Sequence, residues 1–301
     1  MLINTEAFVL KSRKYNEADS LMVLFSRKLG KISAVAKGSR RAKSQMLAGI
    51  QPFCHSSFVL YQGRSLYTVN QVEARRIFYP LREDYRKLTY ASYLVELVEM
   101  EITEGQSHPR LYILFGKALT LLSREKIELE TLIRAFELHF MKVCGYEPQL
   151  FRCTGCKIQE SGKWWFSQSL GGVLCPACCH QANDARPISA TCLKLARYLL
   201  AKDINETVLL KIHPRLNEEL QQLTKSYLLF HMERYQFRSL NLLTRYSEPT
   251  PMKPKMPAQQ EFNCRDEAVL VQEKDSALTD AAEFDTFNET ESSENSHDQE
   301  E

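Results

Sequence analysis

Between residues 1 and 246 there are only four aspartates, Asp19, Asp84, Asp184 and Asp203, far apart and never as D-x-D. A two-metal nuclease needs clustered carboxylates, so this scarcity argues against one. The Gly-Lys pairs at Gly30, Gly116 and Gly162 each lack a glycine five residues earlier, so there is no P-loop to cradle a nucleotide. Neither H-E-x-x-H nor G-x-S-x-G occurs. A single H-x-E, His231-Met232-Glu233, falls in a predicted helix, where residues two apart do not share a face. His139, also helical, reads as structural. No apolar run approaches the eighteen or so residues of a membrane span. Met1 to Tyr15 has Glu6 ahead of any apolar stretch and no basic segment leading into one, so no signal peptide is expected. These absences favour a non-enzymatic, intracellular protein.

What is present is a globular composition, 44% hydrophobic and 25% charged over 301 residues, enough for two compact units and a tail. The net charge of +2 conceals an asymmetry: residues 1–80 carry +9, residues 81–246 carry +4 and residues 247–301 carry −11. A basic field of that strength implies a polyanionic partner.

The first eighty residues read as five short strands, Thr5 to Lys14, Asp19 to Arg27, Lys31 to Lys37, Pro52 to Tyr61 and Ser65 to Ala74. Leu29-Gly30 and Gln62-Gly63 supply turns. In the third strand Ile32, Ala34 and Ala36 alternate with Lys31, Ser33 and Lys37, which predicts one apolar and one basic face. Five strands at this spacing suit a small closed barrel, either an OB-fold or an SH3-like one.

From Leu81 the apolar period changes to 3.6. Leu88, Ala91, Val95, Val98 and Ile102 mark one helix, and Leu129, Leu132, Phe136, Phe140 and Val143 a second. Pro109 to Ser123, Ala190 to Ala201 with Ser189 as N-cap, and Leu216 to Phe230 add three more. The expected plan is a multidomain α+β chain: a barrel at 1–80, a helical domain at 81–246 with an inserted cysteine module at 151–182, and a disordered acidic tail at 247–301. Within the tail, Phe284 and Phe287 sit among Glu283, Asp285 and Glu289. Such a segment either competes for the basic barrel or serves as a solubilising appendage.

Four of nine cysteines form a paired spacing, Cys153-x2-Cys156 and Cys175-x2-Cys178, inside the window for a tetrahedral zinc site. Four thiolates leave no open position, so one structural zinc per chain is expected and a catalytic one is not. Cys179 and His180 follow immediately and are alternatives to Cys178 as the fourth ligand. Trp164, Trp165, Phe166 and Gly171-Gly172 between the pairs suggest a hairpin whose aromatics form the module's core rather than stack on bases. Cys54, Cys144 and Cys192 read as small apolar fillers, and Cys264 has no partner in the pattern.

Basic residues gather at predicted strand ends and loops: Arg13-Lys14, then Lys37, Arg40, Arg41 and Lys43, then Arg75-Arg76. On a barrel these suit a groove following a phosphate backbone, with Tyr15, Phe53, Tyr61 and Tyr67 available to stack on bases. A rival reading is a zinc-ribbon transcription-type adaptor whose barrel binds protein.

The chain resembles the bacterial recombination mediator RecO family over nearly all of residues 1–246. The resemblance rests on Lys37-Gly-Ser-Arg-Arg-Ala-Lys43 leading to Leu47-Ala-Gly-Ile-Gln-Pro-Phe53, and on the helix with Arg134, Phe136, Glu137 and Leu138 running through Cys144-Gly-Tyr-Glu-Pro148 into Cys153-Thr-Gly-Cys156. Phe166-Ser167, Gly171-Gly-Val-Leu-Cys-Pro-Ala-Cys178 and a late helix around Tyr227 to Leu243 extend it. It implies an N-terminal OB domain, a helical domain with a four-cysteine zinc site, and no nucleotide hydrolysis. It further implies binding of single- and double-stranded DNA, annealing of complementary strands, and, with RecR, help to RecA in displacing single-strand-binding protein in the bacterial cytoplasm, in association with the nucleoid. The acidic tail is longer than the family leads one to expect.

Overall fold

The computed structural model describes residues 1–233 and 236–239, so the acidic segment at 247–301 and Cys264 lie outside the described residues. Strands β1 (Leu2–Lys14), β2 (Ser20–Ser26), β3 (Gly30–Ala36), β4 (His55–Gln62) and β5 (Tyr67–Arg76) close into a barrel in the order β1-β2-β3-β5-β4. Antiparallel pairing of β1 with β4, from Leu2↔Tyr61 to Phe8↔His55, completes the circuit, while β3 meets β5 in parallel at Ala34↔Tyr67.

Alternation decides what fills this barrel. Ala7, Val9, Met22, Leu24, Ile32, Ala34, Phe58, Leu60 and Val69 point inward, and Ile50 and Cys54 plug the space from the β3–β4 loop. β1 and β2 are apolar on their outer faces as well: Phe8, Leu10 and Phe25 join the helical core. The Phe8 ring lies 4.8 Å from Tyr112 and 5.2 Å from Phe115, in arrangements favoured by aromatic quadrupoles. The basic face expected for β3 is not a free surface. Lys31 Nζ donates to the Glu99 carbonyl at 3.3 Å, Ser33 Oγ donates to Glu104 Oε1 at 3.4 Å, and Val35 is buried. Docked helical structure covers that face, and only Lys37, beyond the strand end, is exposed.

Helices α1 (Pro80–Glu83), α2 (Tyr85–Glu101), α3 (Pro109–Leu122) and α4 (Leu129–Val143) follow. Asp84 caps α2 by accepting from the Arg86 and Lys87 amides. Helix α4 is nearly enclosed, and it carries an ion pair, Arg134 Nη1 to Glu137 Oε2 at 2.9 Å. Tyr93 on α2 donates to Glu137 Oε1 at 2.7 Å, and Thr224 donates to Oε2 at 2.6 Å. Buried charge is tolerated here because neighbouring hydroxyls satisfy the carboxylate.

A small sheet then interrupts the helices: β6 (Trp164–Ser167), β7 (Gly172–Leu174) and β8 (Arg186–Ile188), in the order β7-β6-β8. The helical pattern resumes with α5 (Ala190–Ala201), α6 (Ile204–Thr207) and α7 (Pro214–His231). Ser189 caps α5, its hydroxyl accepting from the Cys192 amide at 3.1 Å. His139 is engaged structurally, its Nε2 lying 3.0 Å from the Leu199 carbonyl and 2.9 Å from that of Lys202. No helix among the described residues is long and apolar enough to cross a membrane.

Candidate nucleic-acid interface and cysteine centre

Strand register brings the end of β1, the start of β2 and the end of β3 side by side, through Lys14↔Ser20 and Ser20↔Ala36. Arg13, Lys14, Lys37, Arg40, Arg41 and Lys43 are therefore at one end of the barrel, all exposed. Asp19 anchors the loop that carries four of them. Its Oδ1 accepts from the Gly38 amide at 2.8 Å, and Arg40 donates its amide to the Ala18 carbonyl at 2.9 Å. Gly38 has φ +67, a left-handed conformation that side chains resist, so the turn that presents Arg40 and Arg41 depends on a glycine. The Gly38 amide and the Asn16 side chain hold the Asp19 carboxyl below its ordinary range, helped by Lys37 and Arg41.

None of these six cations makes a salt bridge among the described residues. Tyr15, half exposed, projects from the same end beside Arg13 and Lys14. Arg75 and Arg76 close β5, where His55 pairs with Arg76. Arg75 donates to Ser57 Oγ at 3.0 Å and bridges Glu73 at 3.3 Å, while the Arg76 guanidinium lies over the Phe78 ring. Of the aromatics proposed for stacking, Phe53 is buried and Tyr67 half-buried. Tyr61 is exposed but at the other end of β1, opposite Leu2.

The cysteine centre lies between α4 and β8. Sulfurs of Cys153, Cys156, Cys175 and Cys178 lie within 4.8 Å of one another, and Cys156 and Cys175 are 3.5 Å apart. A disulfide would hold two sulfurs at about 2.05 Å, whereas four thiolates around zinc at about 2.3 Å sit about 3.8 Å apart. The spacing therefore fits a tetrahedral ion. Gly155 leaves room for it: a Cβ there would meet Cys178 Sγ at 2.9 Å. Burial raises the Cys153 thiol, but backbone amides of Cys175, Cys156 and Gly155 outweigh it and bring the pKa down to about 6. The alternatives to Cys178 turn away. Cys179 Sγ donates to the Pro176 carbonyl at 3.2 Å, and His180 is exposed.

The aromatics between the cysteine pairs are core. Trp164 and Phe166 are buried, and Phe166 meets Tyr227 of α7 at 5.4 Å. Cys54 and Cys192 are buried fillers, as their pattern suggests. Cys144 is not: a carboxylate and an imidazole face it, Glu101 and His108. No local signal links these three, because their spacing matches no ligand motif.

Comparison with known proteins follows the same division of the chain. Residues 1–78 match the family described as Recombination protein O N terminal, and residues 82–241 match Recombination protein O C terminal. Among curated relatives, the DNA repair protein RecO of Alkaliphilus metalliredigens (strain QYMF) is 50% identical over 242 residues, covering 80% of this chain and 98% of its own. That of Symbiobacterium thermophilum is 36% identical, covering 77% and 93%. The one from Pelotomaculum thermopropionicum is 35% identical, covering 82% and 95%.

Proposed function

The chain belongs to the RecO family of recombination mediators, and on that premise we propose that its barrel is an OB-fold that grips DNA through the basic end around Arg40 and Arg41. Family membership supports a part in recombinational DNA repair, a mediator's role rather than an enzyme's. The finer reading is that the barrel holds single- and double-stranded DNA, anneals complementary strands, and works with RecR to help RecA replace single-strand-binding protein. Its setting would be the bacterial cytoplasm and nucleoid.

The observation that carries this reading is the cluster of six exposed cations that make no salt bridge among the described residues, on anchored strand ends and with Tyr15 among them. Cations not spent on internal partners are available to phosphates, and each phosphate contact releases counterions. The strand order β1-β2-β3-β5-β4 supports an OB-fold over an SH3-like barrel. Phosphate contacts leave the bases free to pair, and neutralising two strands lowers the repulsion that opposes annealing. A zinc ion held by Cys153, Cys156, Cys175 and Cys178 would support the small sheet inserted in the helical domain without entering any reaction.

Changing Arg40, Arg41 and Lys43 together to Ala tests the assignment. Affinity for unrelated DNA sequences should fall alike, and the slope of log K against log salt should flatten by up to about three, near one per lost contact. Unchanged affinity would move the interface off this end of the barrel, and a protein-binding adaptor would show no steep salt slope for DNA at all.

A further inference from the structure

Apart from the four cysteines, the described residues assemble a second set of metal-ligating side chains. Glu101, His108 and Cys144 place a carboxylate oxygen, an imidazole nitrogen and a thiol sulfur within 4.8 Å of one another. Each terminates a different element: Glu101 is the last residue of α2, His108 precedes α3, and Cys144 follows α4. All three are half-buried, and the His108 side chain makes no capping hydrogen bond. Beside them the Tyr146 hydroxyl is buried against Cys144 and Glu101 and lacks a well-formed hydrogen bond. Its ring stacks on His231 at 5.1 Å, with 12° between the planes.

A cleft of about 250 Å³, lined by Met100, Glu101, His231, Met232 and Glu233, shares Glu101 with this group. Residues two apart on a helix would not share a face, but α7 stops at His231 and Glu233 has φ +51, so both members of the H-x-E line one cleft.

We infer that Glu101, His108 and Cys144 bind a second divalent transition ion, with zinc the best match. One oxygen, one nitrogen and one sulfur suit a borderline-soft ion, whereas calcium and magnesium prefer all-oxygen sets. A carboxylate, a thiolate and a neutral imidazole bring two negative charges, which balance the ion, and the Cys144 proton passes to solvent on binding. Three protein ligands leave a fourth position for water or another donor. The ion would tie the ends of α2, α3 and α4 at the base of the loop that docks the barrel. That loop receives the Lys31 amide at the Thr103 carbonyl at 3.0 Å, and Ser107 Oγ donates to the Arg27 carbonyl at 2.7 Å. This ion therefore serves the junction between barrel and helices, and the four-cysteine ion serves the small sheet.

The test uses the full, reduced chain dialysed against buffered free Zn(II), with metal counted by elemental analysis. Wild type should hold two zinc ions, and His108→Ala and Glu101→Gln one each, with second-site affinity lowered about tenfold or more. Adding the second equivalent should raise the melting temperature of wild type and of neither variant. With Co(II), Cys144→Ser should remove the thiolate charge-transfer contribution of the second equivalent alone. A wild-type count of one that falls to zero in His108→Ala supports this site and places the fault with the four-cysteine reading. A wild-type count of one that persists in His108→Ala, or a second ion that survives in all three variants, would overturn the inference.

Discussion

His55 shows how a single buried group records the packing of barrel on helices. Its ring lies 4.6 Å from Phe8, its Nε2 is 2.7 Å from the Tyr112 hydroxyl, and Glu6 is 4.0 Å away. Burial, with the positive charges of Arg75 and Arg76, depresses its pKa to about 4. The folded ring thus stays neutral down to about pH 4, while the unfolded ring takes up a proton below about 6.5. Protons then favour the unfolded chain, so stability falls as pH drops through that window. Between pH 7.5 and 5 this group should cost about 2 kcal/mol, at about 1.4 kcal/mol per pH unit. Urea titrations at the two pH values should show a smaller loss in His55→Gln than in wild type, and equal losses would refute the account. Nothing in the residues around His55 in sequence announces this burial. Tyr112 reaches it only because α3 packs against the barrel beside Phe8.

At the scale of elements, the small sheet is too short to stand on its own packing. Its three strands have four, three and three residues, too few to enclose a core of their own. Trp164, Phe166, Val173 and Leu174 are buried by leaning on the helices, and the sulfur cluster ties the two C-x2-C turns together. On the proposed zinc assignment, replacing Cys153 by Ser should lower metal content, soluble yield and melting temperature, since metal binding would be part of this module's folding free energy. Elemental analysis and thermal melts check it, and an unchanged melt would remove the structural role. Much of this element was legible: the spacing named the four cysteines, and Gly171-Gly172 marked the hairpin. Choosing among Cys178, Cys179 and His180 was not. The turn closed by the Cys178 and Cys179 amides on the Cys175 carbonyl directs one sulfur inward and the next outward.

For the whole molecule, charge is the organising quantity. Residues 1–246 carry +13 and residues 247–301 carry −11. An anionic segment joined to a basic domain competes with phosphate at low salt, and the competition fades as the Debye length shortens. Deleting residues 250–301 decides between such competition and a solubilising role: competition requires tighter DNA binding by the shortened chain at low salt, with the gain shrinking as salt rises. Binding titrations across a salt series decide it; equal affinity throughout would make the segment a solubilising appendage.

Local pattern determined what local physics controls in this protein. Helices α4 and α5, the Ser189 cap, five strands within a few residues of their ends, and the paired cysteines each follow from periodicity, capping chemistry or ligand spacing over short stretches. Tertiary structure alone decided which strand faces are free. Leu21 to Phe25 of β2 are apolar on both faces, and only the packing shows that Phe8 and Phe25 turn outward onto α3 while Ala7, Val9, Met22 and Leu24 fill the barrel. Lys31, basic in pattern, is spent on the Glu99 carbonyl, and Phe53 is turned inward. Glu101, His108 and Cys144 meet only because three helices end at one point. In each case the deciding contact joins segments distant in the chain, and a short-range pattern carries no information about which distant surface arrives to cover it.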